Sequence, residues 1–462
     1  MAYDAEESVS HYRGLLDPRD GRKALAMTKK PEKVVKKKAA MNKTTMRIRM
    51  YQVGFGDCFL ISTPDNKTIL VDCGFHSQGK GAFSGDEIAK QVISDVVATS
   101  GKARIDVVVA THRHQDHVYA FNSKEWDDVA VGEVWMPWVE NPKNVAARKL
   151  WKKQREFAQQ LHAALPSFGL TESDKEEAEF LLWNAGVNAA GHEPFGAWSN
   201  SGALDRLIDG FAARDRAKPR YLPEGDEFPE TFDSEALPGV RTHVLGPPRD
   251  PDLIAKLDPE ADGETYRALA LRMAEQTQTP IAAPFGLPWQ VSSTAPSAPS
   301  SLPPDHLARL KDLARTADPM FAARALDDMI NSTSLVLIMQ IGKARLLLPG
   351  DAEWGTWKLI LEDTRAVSLL KGTTFLKVGH HGSHNATPKT LLESVLKEGV
   401  HAMISTQEGE GNYRNNIPLP ALLDALSEHG VSAVRSDTPD DELPDHFVAG
   451  PDGRWIDAIL PC

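Results

Sequence analysis

Hydrophobic and polar positions alternate at 46–53 (MRIRMYQV), the pattern of a strand with one covered face. Two strand-like runs follow closely, DCFLIST (57–63) and KTILVDCG (67–74), with a turn at 65–67 after Pro64. From about Asp86 to Thr99 the apolar positions Ile88, Val92, Val96 and Val97 recur at helical spacing. IDVVVAT (105–111) is apolar without interruption, which predicts a strand buried on both faces, and VGEVWMPW (131–138) reads as another.

The pattern then changes. Residues 146–165 and 172–186 are charged, dotted with tryptophan and helical in period. One strand, RTHVLGPP (241–248), precedes a second irregular stretch that contains the Ser/Pro-rich loop SSTAPSAPSSLPPD (292–305). The strand–helix rhythm returns with SLVLIMQI (334–341) and ARLLLPGD (344–351), a hairpin over Gly342. A helix at about 353–370, the strand TFLKVGHH (374–381), a helix after Pro388, the strand HAMISTQ (401–407), a helix at 420–429 and the strand SAVRSD (432–437) complete it. Strand-rich halves flanked by helices imply a layered α/β body. The expected organisation is an arm at 1–45 and one catalytic domain at 46–462, interrupted by mostly helical insertions at 140–240 and 249–330.

Charge sharpens the picture of the arm. The chain has 462 residues and net charge −12, yet residues 22–43 alone carry nine basic residues and one acidic one. The arm is therefore expected to be a solvated, disordered basic tail, and the acidic remainder argues against metal-independent binding of duplex DNA. No apolar run approaches the ~20 residues of a membrane span. The first residues lack an apolar core before a cleavage site, and three cysteines without paired spacing do not form a disulfide framework, so a cytoplasmic location is expected. Cys58 and Cys73 are expected to pack as small hydrophobes.

The chemistry concentrates at THRHQDH (111–117), directly after the buried strand. Imidazole nitrogens and carboxylate oxygens are the common ligands of Zn²⁺, Mn²⁺ and Fe at hydrolytic sites. His112, His114, Asp116 and His117 crowd six residues, so a strand end and its loop would aim them at two adjacent points. No phosphate-binding loop, Rossmann fingerprint or nucleophile elbow accompanies them.

The order HRHQDH (112–117), ILVDCG (69–74), LLLPGDA (346–352) and KVGHHGS (377–383) resembles the metallo-β-lactamase-fold hydrolases. VGFGDCFLI (53–61), NSTSLVL (331–337) and the HHGS run are similar to the hydrolase domain of ComEC-type competence proteins and their stand-alone relatives. The resemblance covers 46–138, 241–248 and 331–437, and implies a four-layer αββα sandwich with helical insertions. It also implies a metal-dependent hydrolase with two divalent ions, zinc first and manganese second, acting through a metal-bound hydroxide. The substrate would be a phosphoester or nucleic acid, making the protein a phosphodiesterase or nuclease. His112 and His114 would hold one ion, Asp116, His117 and His380 the other, with Asp351 bridging. Asp116 and His381 would be the catalytic pair, and Asp72 would orient the metal loop.

His380 and His381 are adjacent, so on an extended strand they point to opposite sides and only one binds metal. His380 is taken as that ligand, with the reverse assignment open. A third metal histidine common in the family has no counterpart. Asn331 occupies its place, and Asn331 or water would complete the first ion's shell. His192 in GHEPFG is read as an insertion residue. Ile417 stands where relatives have a substrate histidine. Ser383 is a candidate contact to substrate or to a ligand, although it and Thr387 read equally as turn and cap residues. His76, His243 and His401 are expected to be structural, and Trp151, Trp183, Trp198 and Trp289 to form the insertions' small core. Two other readings remain: hydrolysis of another ester, a lactone or a phosphorylcholine-type substrate on the same site, and a degenerate binding protein.

Overall fold

The computed structural model describes residues 44–75, 84–167, 170–184, 200–211, 218–255, 319–383, 385, 387–407 and 417–462. The basic arm up to residue 43, the loop at 292–305, His76, His192, Trp198 and Trp289 lie outside the described residues, as does the side chain of Trp183.

Strands β1 (Thr45–Tyr51), β2 (Cys58–Ser62), β3 (Thr68–Cys73), β4 (Arg104–Val109), β5 (Ala130–Pro137) and β6 (Pro219–Leu222) enter one sheet in chain order. A second sheet takes β7 (Glu230–Asp233), β8 (Val240–Gly246), β9 (Val336–Ile341), β10 (Ala344–Leu348), β11 (Phe375–Lys377), β12 (His401–Ile404) and β13 (Ser432–Arg435). The chain then returns to the first sheet as β14 (Phe447–Ala449) and β15 (Trp455–Pro461), the latter paired with β1 along its full length. The two sheets have the same plan. The first is antiparallel from β14 to β3 and parallel from β3 to β6. The second is antiparallel from β7 to β10 and parallel from β10 to β13. Each changes sense at one strand, β3 or β10.

The period of two along the strands builds the layers. In β9 and β10, Leu337, Met339, Leu346 and Leu348 face a core shared with Met46, Ile48, Phe59, Ile69, Val107 and Trp135 of the first sheet. Their alternates Val336, Ile338 and Leu347 pack on Trp357, Ile360, Leu422 and Leu426 of the outer helices Trp354–Glu362 and Pro420–Glu428. On the other side Leu60, Leu70 and Val108 meet Ile88, Val92 and Val96 of helix Gly85–Ser100. The order helix, sheet, sheet, helix is the expected αββα sandwich. Cys58 and Cys73 pack into the first sheet's outer core as unbridged thiols.

Helices Val145–Ala164, Glu172–Asn184 and Pro319–Asn331 share a separate core of Ala158, Leu181, Leu182, Ala323, Leu326 and Ile330. The first insertion is not helical throughout: its residues 219–233 supply β6 and β7, one edge strand to each sheet. The helix expected at 353–370 is two, because the Asp363 carboxylate accepts from the Arg365 and Ala366 amides and starts a new helix at Thr364. After Pro388 a single wide turn, Leu391–Val395, forms. No helix among the described residues is long and apolar enough to cross a membrane.

Candidate metal centre

The carboxyl ends of the parallel strands from both sheets converge on one spot, where open α/β sheets place their ligands. Beyond β4, Thr111 is tied to the end of β3: its amide and its hydroxyl each donate to Asp72, both at 2.7 Å. His114 then precedes a one-turn helix, Gln115–Val118. The loop is held from below by the Asp57 amide, which donates to the Asp116 carbonyl at 2.8 Å. Gly74 allows this approach, since a Cβ there would lie 2.3 Å from the Asp116 carbonyl carbon.

Four histidines then show a common arrangement. Each turns one ring nitrogen to the cluster and the other to a protein group outside it. The His112 Nε2 faces His114 Nδ1 at 3.1 Å, while its Nδ1 lies 3.1 Å from the Thr111 hydroxyl and 3.2 Å from that of Ser334. On the far side of its ring, His114 Nε2 lies 3.2 Å from Asp327 Oδ1. For His117, Nδ1 contacts Asp72 at 2.9 Å and Nε2 contacts Asp351 Oδ2 at 3.1 Å. His381 donates from Nδ1 to the Ser405 carbonyl at 2.7 Å and points Nε2 at Asp116 Oδ2, 2.9 Å away. Metal-ligating histidines have this arrangement, the outer acceptor fixing the tautomer that leaves the inner nitrogen free. His112, His117 and Asp351 form one group with ligand atoms within 4.8 Å of one another, and Asp116, His117 and His381 form another.

The charge balance also suits cations. Asp57, Asp72, Asp116 and Asp351 are each buried, against one buried ammonium among the described residues, that of Lys377. Lys377 pairs with Asp57 and reaches Asp351 Oδ1 at 3.4 Å. The His380 amide donates to that same Oδ1 at 3.0 Å, so Oδ2 is the oxygen Asp351 turns to His117. Burial alone would lower the His117 pKa, but Asp351, Asp116, Asp72 and Asp57 hold it well above the ordinary imidazole value. Burial pushes the His112 pKa well below that value, with His117 and His114 adding to the effect. Burial opposes ionisation of Asp116 and Asp351 too, and it is overridden by His117, His381 and His114 in the first and by His117, Lys377 and His380 in the second. Surroundings that raise the His117 pKa against burial are ones that attract positive charge.

The geometry reverses the expected order of the late histidines. His381 is fully buried in the cluster, whereas the His380 side chain is 22% exposed and its Nδ1 lies 3.8 Å from Glu353. Strand alternation does not govern the pair, because β11 ends at Lys377 and both residues adopt left-handed backbone, φ 43° and 52°. Asp72 (φ 55°) and Gly350 (φ 55°) do the same nearby, a concentration of unusual backbone typical of functional sites. Asn331 is 1% exposed and neither polar atom of its amide has a hydrogen-bond partner. The Ser383 hydroxyl is spent on Asn385 at 2.6 Å, and Asn385 in turn binds Glu353 at 2.6 Å. His243 bonds Thr231 at 2.8 Å and His401 stacks near His446, both away from the cluster. Asp57, Glu353 and Asp327 were not singled out in the sequence. Only the position of Asp57 in the VGFGD run offered a signal.

Residues 51–249 match the Metallo-beta-lactamase superfamily. The chain carries a metallo-beta-lactamase superfamily domain. The matched span holds Asp72 and the whole of HRHQDH, and the second sheet of the sandwich adds Asp351 and His381. No curated protein matches the chain. The superfamily consists mostly of metal-dependent hydrolases that bind divalent ions, often zinc, and the histidine and carboxylate groups of this metallo-beta-lactamase domain suit such ions.

Proposed function

We propose that the protein is a phosphodiesterase or nuclease with a two-ion site. His112 Nε2 and His114 Nδ1 would hold the first ion, with Asn331 in the place of a third histidine. Asp116, His117 Nε2 and His381 Nε2 would hold the second, and Asp351 would serve both. The observation that carries the metal-site reading is the shared ring arrangement of the four histidines, each with its outer nitrogen engaged. When bound, a pair of divalent ions would activate water near neutral pH and neutralise charge developing on the substrate.

The chain's own residues do the rest. Asp72 keeps the His117 proton on Nδ1, and the Ser405 carbonyl does the same for His381. Lys377 and the His380 amide fix Asp351 by its other oxygen. The partly exposed ring of His380, beside Glu353, would donate to a substrate oxygen. The phosphoester assignment rests on the run of ComEC-like motifs, VGFGD, NSTSLVL, PGD and HHGS. A metal-supplemented screen of single-stranded DNA, duplex DNA, RNA, cyclic nucleotides and carboxylic esters tests it. Turnover of esters with none of any phosphodiester would refute the substrate class, and loss of no activity in His112→Ala would refute the site.

A further inference from the structure

We propose that Asp327, on the insertion helix Pro319–Asn331, is a positioning residue that sets the tautomer of His114, so that the helical insertion must be docked for the first ion to bind. The inference rests on the two-ion reading for its consequence and on geometry alone for its cause. Of the four inward-facing histidines, three have outer partners from the sandwich itself: Thr111 and Ser334 for His112, Asp72 for His117 and Ser405 for His381. His114 differs, since its outer nitrogen faces Asp327 from the second insertion at 3.2 Å. The two atoms are within ion-pair distance without the alignment of a hydrogen bond, and the carboxylate is the protein group that faces Nε2.

Both side chains are shielded from water, 5% exposed for His114 and 17% for Asp327. A carboxylate there holds the proton on Nε2 and leaves Nδ1, the atom beside His112 Nε2, as a free lone pair. One helical turn after Asp327, on the same face, comes Asn331, with its unpartnered buried amide. The helix therefore carries the carboxylate that meets His114 and, one turn on, a second buried polar side chain. Its own position depends on the insertion core, where Leu326 and Ile330 pack with Leu181 and Leu182. The insertion grips the metal loop a second time at Arg113, which pairs with Glu140 at 3.0 Å, reaches Gln154 at 3.5 Å and lies 5.5 Å from the Trp151 ring. The first ion's site is thus built partly by the insertion, while the second ion's protein ligands all come from the sandwich.

The test uses the full chain. Long-range ¹H–¹⁵N spectra of ¹⁵N-histidine-labelled, metal-free protein in mildly alkaline buffer report the His114 tautomer, assigned by loss of its signal in His114→Gln. The Nε2–H form is expected in the wild type and its loss in Asp327→Leu, which removes every acceptor at that position. Chelator competition with Zn²⁺ and with Mn²⁺ then reads two binding constants. Asp327→Leu is expected to weaken the first by about 10–100-fold and leave the second unchanged, the usual effect of removing an outer partner of a ligating histidine. Asp327→Glu, which keeps the carboxylate, is expected to retain the Nε2 proton and most of the affinity. An unchanged tautomer in Asp327→Leu, equal weakening of both constants, or a Glu variant as weak as the Leu variant would each overturn the proposal. Wild-type protein that takes up no ion would sink the hydrolase reading instead, and the metal-free spectra would still decide the part of Asp327.

Discussion

Replacing Asp72 by Asn keeps the size of the side chain and changes what His117 meets. Asp72 Oδ1 accepts from the Thr111 amide, and Oδ2 takes the Thr111 hydroxyl at 2.7 Å and His117 Nδ1 at 2.9 Å. An Asn oxygen can still accept from the amide, which leaves its NH₂ where Oδ2 stood. That group donates to His117 Nδ1, so the ring proton must move to Nε2, the atom that faces Asp351 at 3.1 Å. The lone pair that would ligate is then lost. A hydrogen bond to a charged group contributes about 1.5–3 kcal/mol, and loss of an outer carboxylate typically weakens metal binding 10–100-fold, about 1.4–2.7 kcal/mol. By linkage, at saturating metal the loaded protein should melt roughly 2–3 °C lower for a chain of this size. Chelator competition and scanning fluorimetry with and without Zn²⁺ measure both effects. Wild-type affinity together with an undiminished metal-induced melting shift in Asp72→Asn would refute the orienting role.

Other outcomes follow from the same geometry. His381→Ala should remove about one equivalent of bound metal by elemental analysis, whereas His380→Ala should keep the stoichiometry and lower kcat. Gly74→Ala would put a Cβ 2.3 Å from the Asp116 carbonyl carbon. It should destabilise the fold by at least ~1–3 kcal/mol, read by denaturant melts, and reduce metal content as well. Arg49 is buried against Asp457 at 2.7 Å and Asp95 at 2.7 Å and joins β1 to β15. Arg49→Met should cost about 3–5 kcal/mol in chemical denaturation, because it leaves buried carboxylates without a counter-charge. Burial first, then Arg345 and Arg241, lower the His243 pKa in the folded state. Its contribution is therefore full above the unfolded value near 6.5 and is lost as pH falls through the folded value. Melts across that range should show a smaller acid-side decline for His243→Gln than for the wild type.

The histidine cluster was legible because its residues are contiguous. HRHQDH, PGD and HHGS each follow a run apolar enough to be a buried strand, and strand ends are where such side chains can meet. The layering was legible for the same reason, since β9 and β10 spell their two faces in alternate letters. What escaped notice lacked a local pattern. β6 and β7 have four residues each and mostly half-exposed or exposed side chains. In β15, Asp457 breaks the apolar run and is intelligible only once Arg49 lies opposite. The strand rule said only that one of His380 and His381 would bind metal, and it does not apply to left-handed backbone. Asp327 sits beside Asp328 in a helix, and nothing in the two letters says which carboxylate meets His114. Long-range pairing made these residues functional candidates, and pairing across an insertion has no signature along the chain.

The convergence of strand ends from both sheets has a consequence for synthesis. His117 meets Asp351 across 234 residues of sequence and Asp116 meets His381 across 265. A nascent chain that has emerged only through β6 possesses the HRHQDH loop but neither late ligand, and it has no bowl in which to retain an ion. On the proposed two-ion reading, metal capture would therefore be a late event, possible only after the second sheet has docked and the very long loop between the ligands has closed. Once captured, an ion would join the two ends of that loop much as a cross-link does. The protein would be loaded as a finished body rather than strand by strand, and a chain truncated before β10 would be unable to hold what its most recognisable motif suggests it binds.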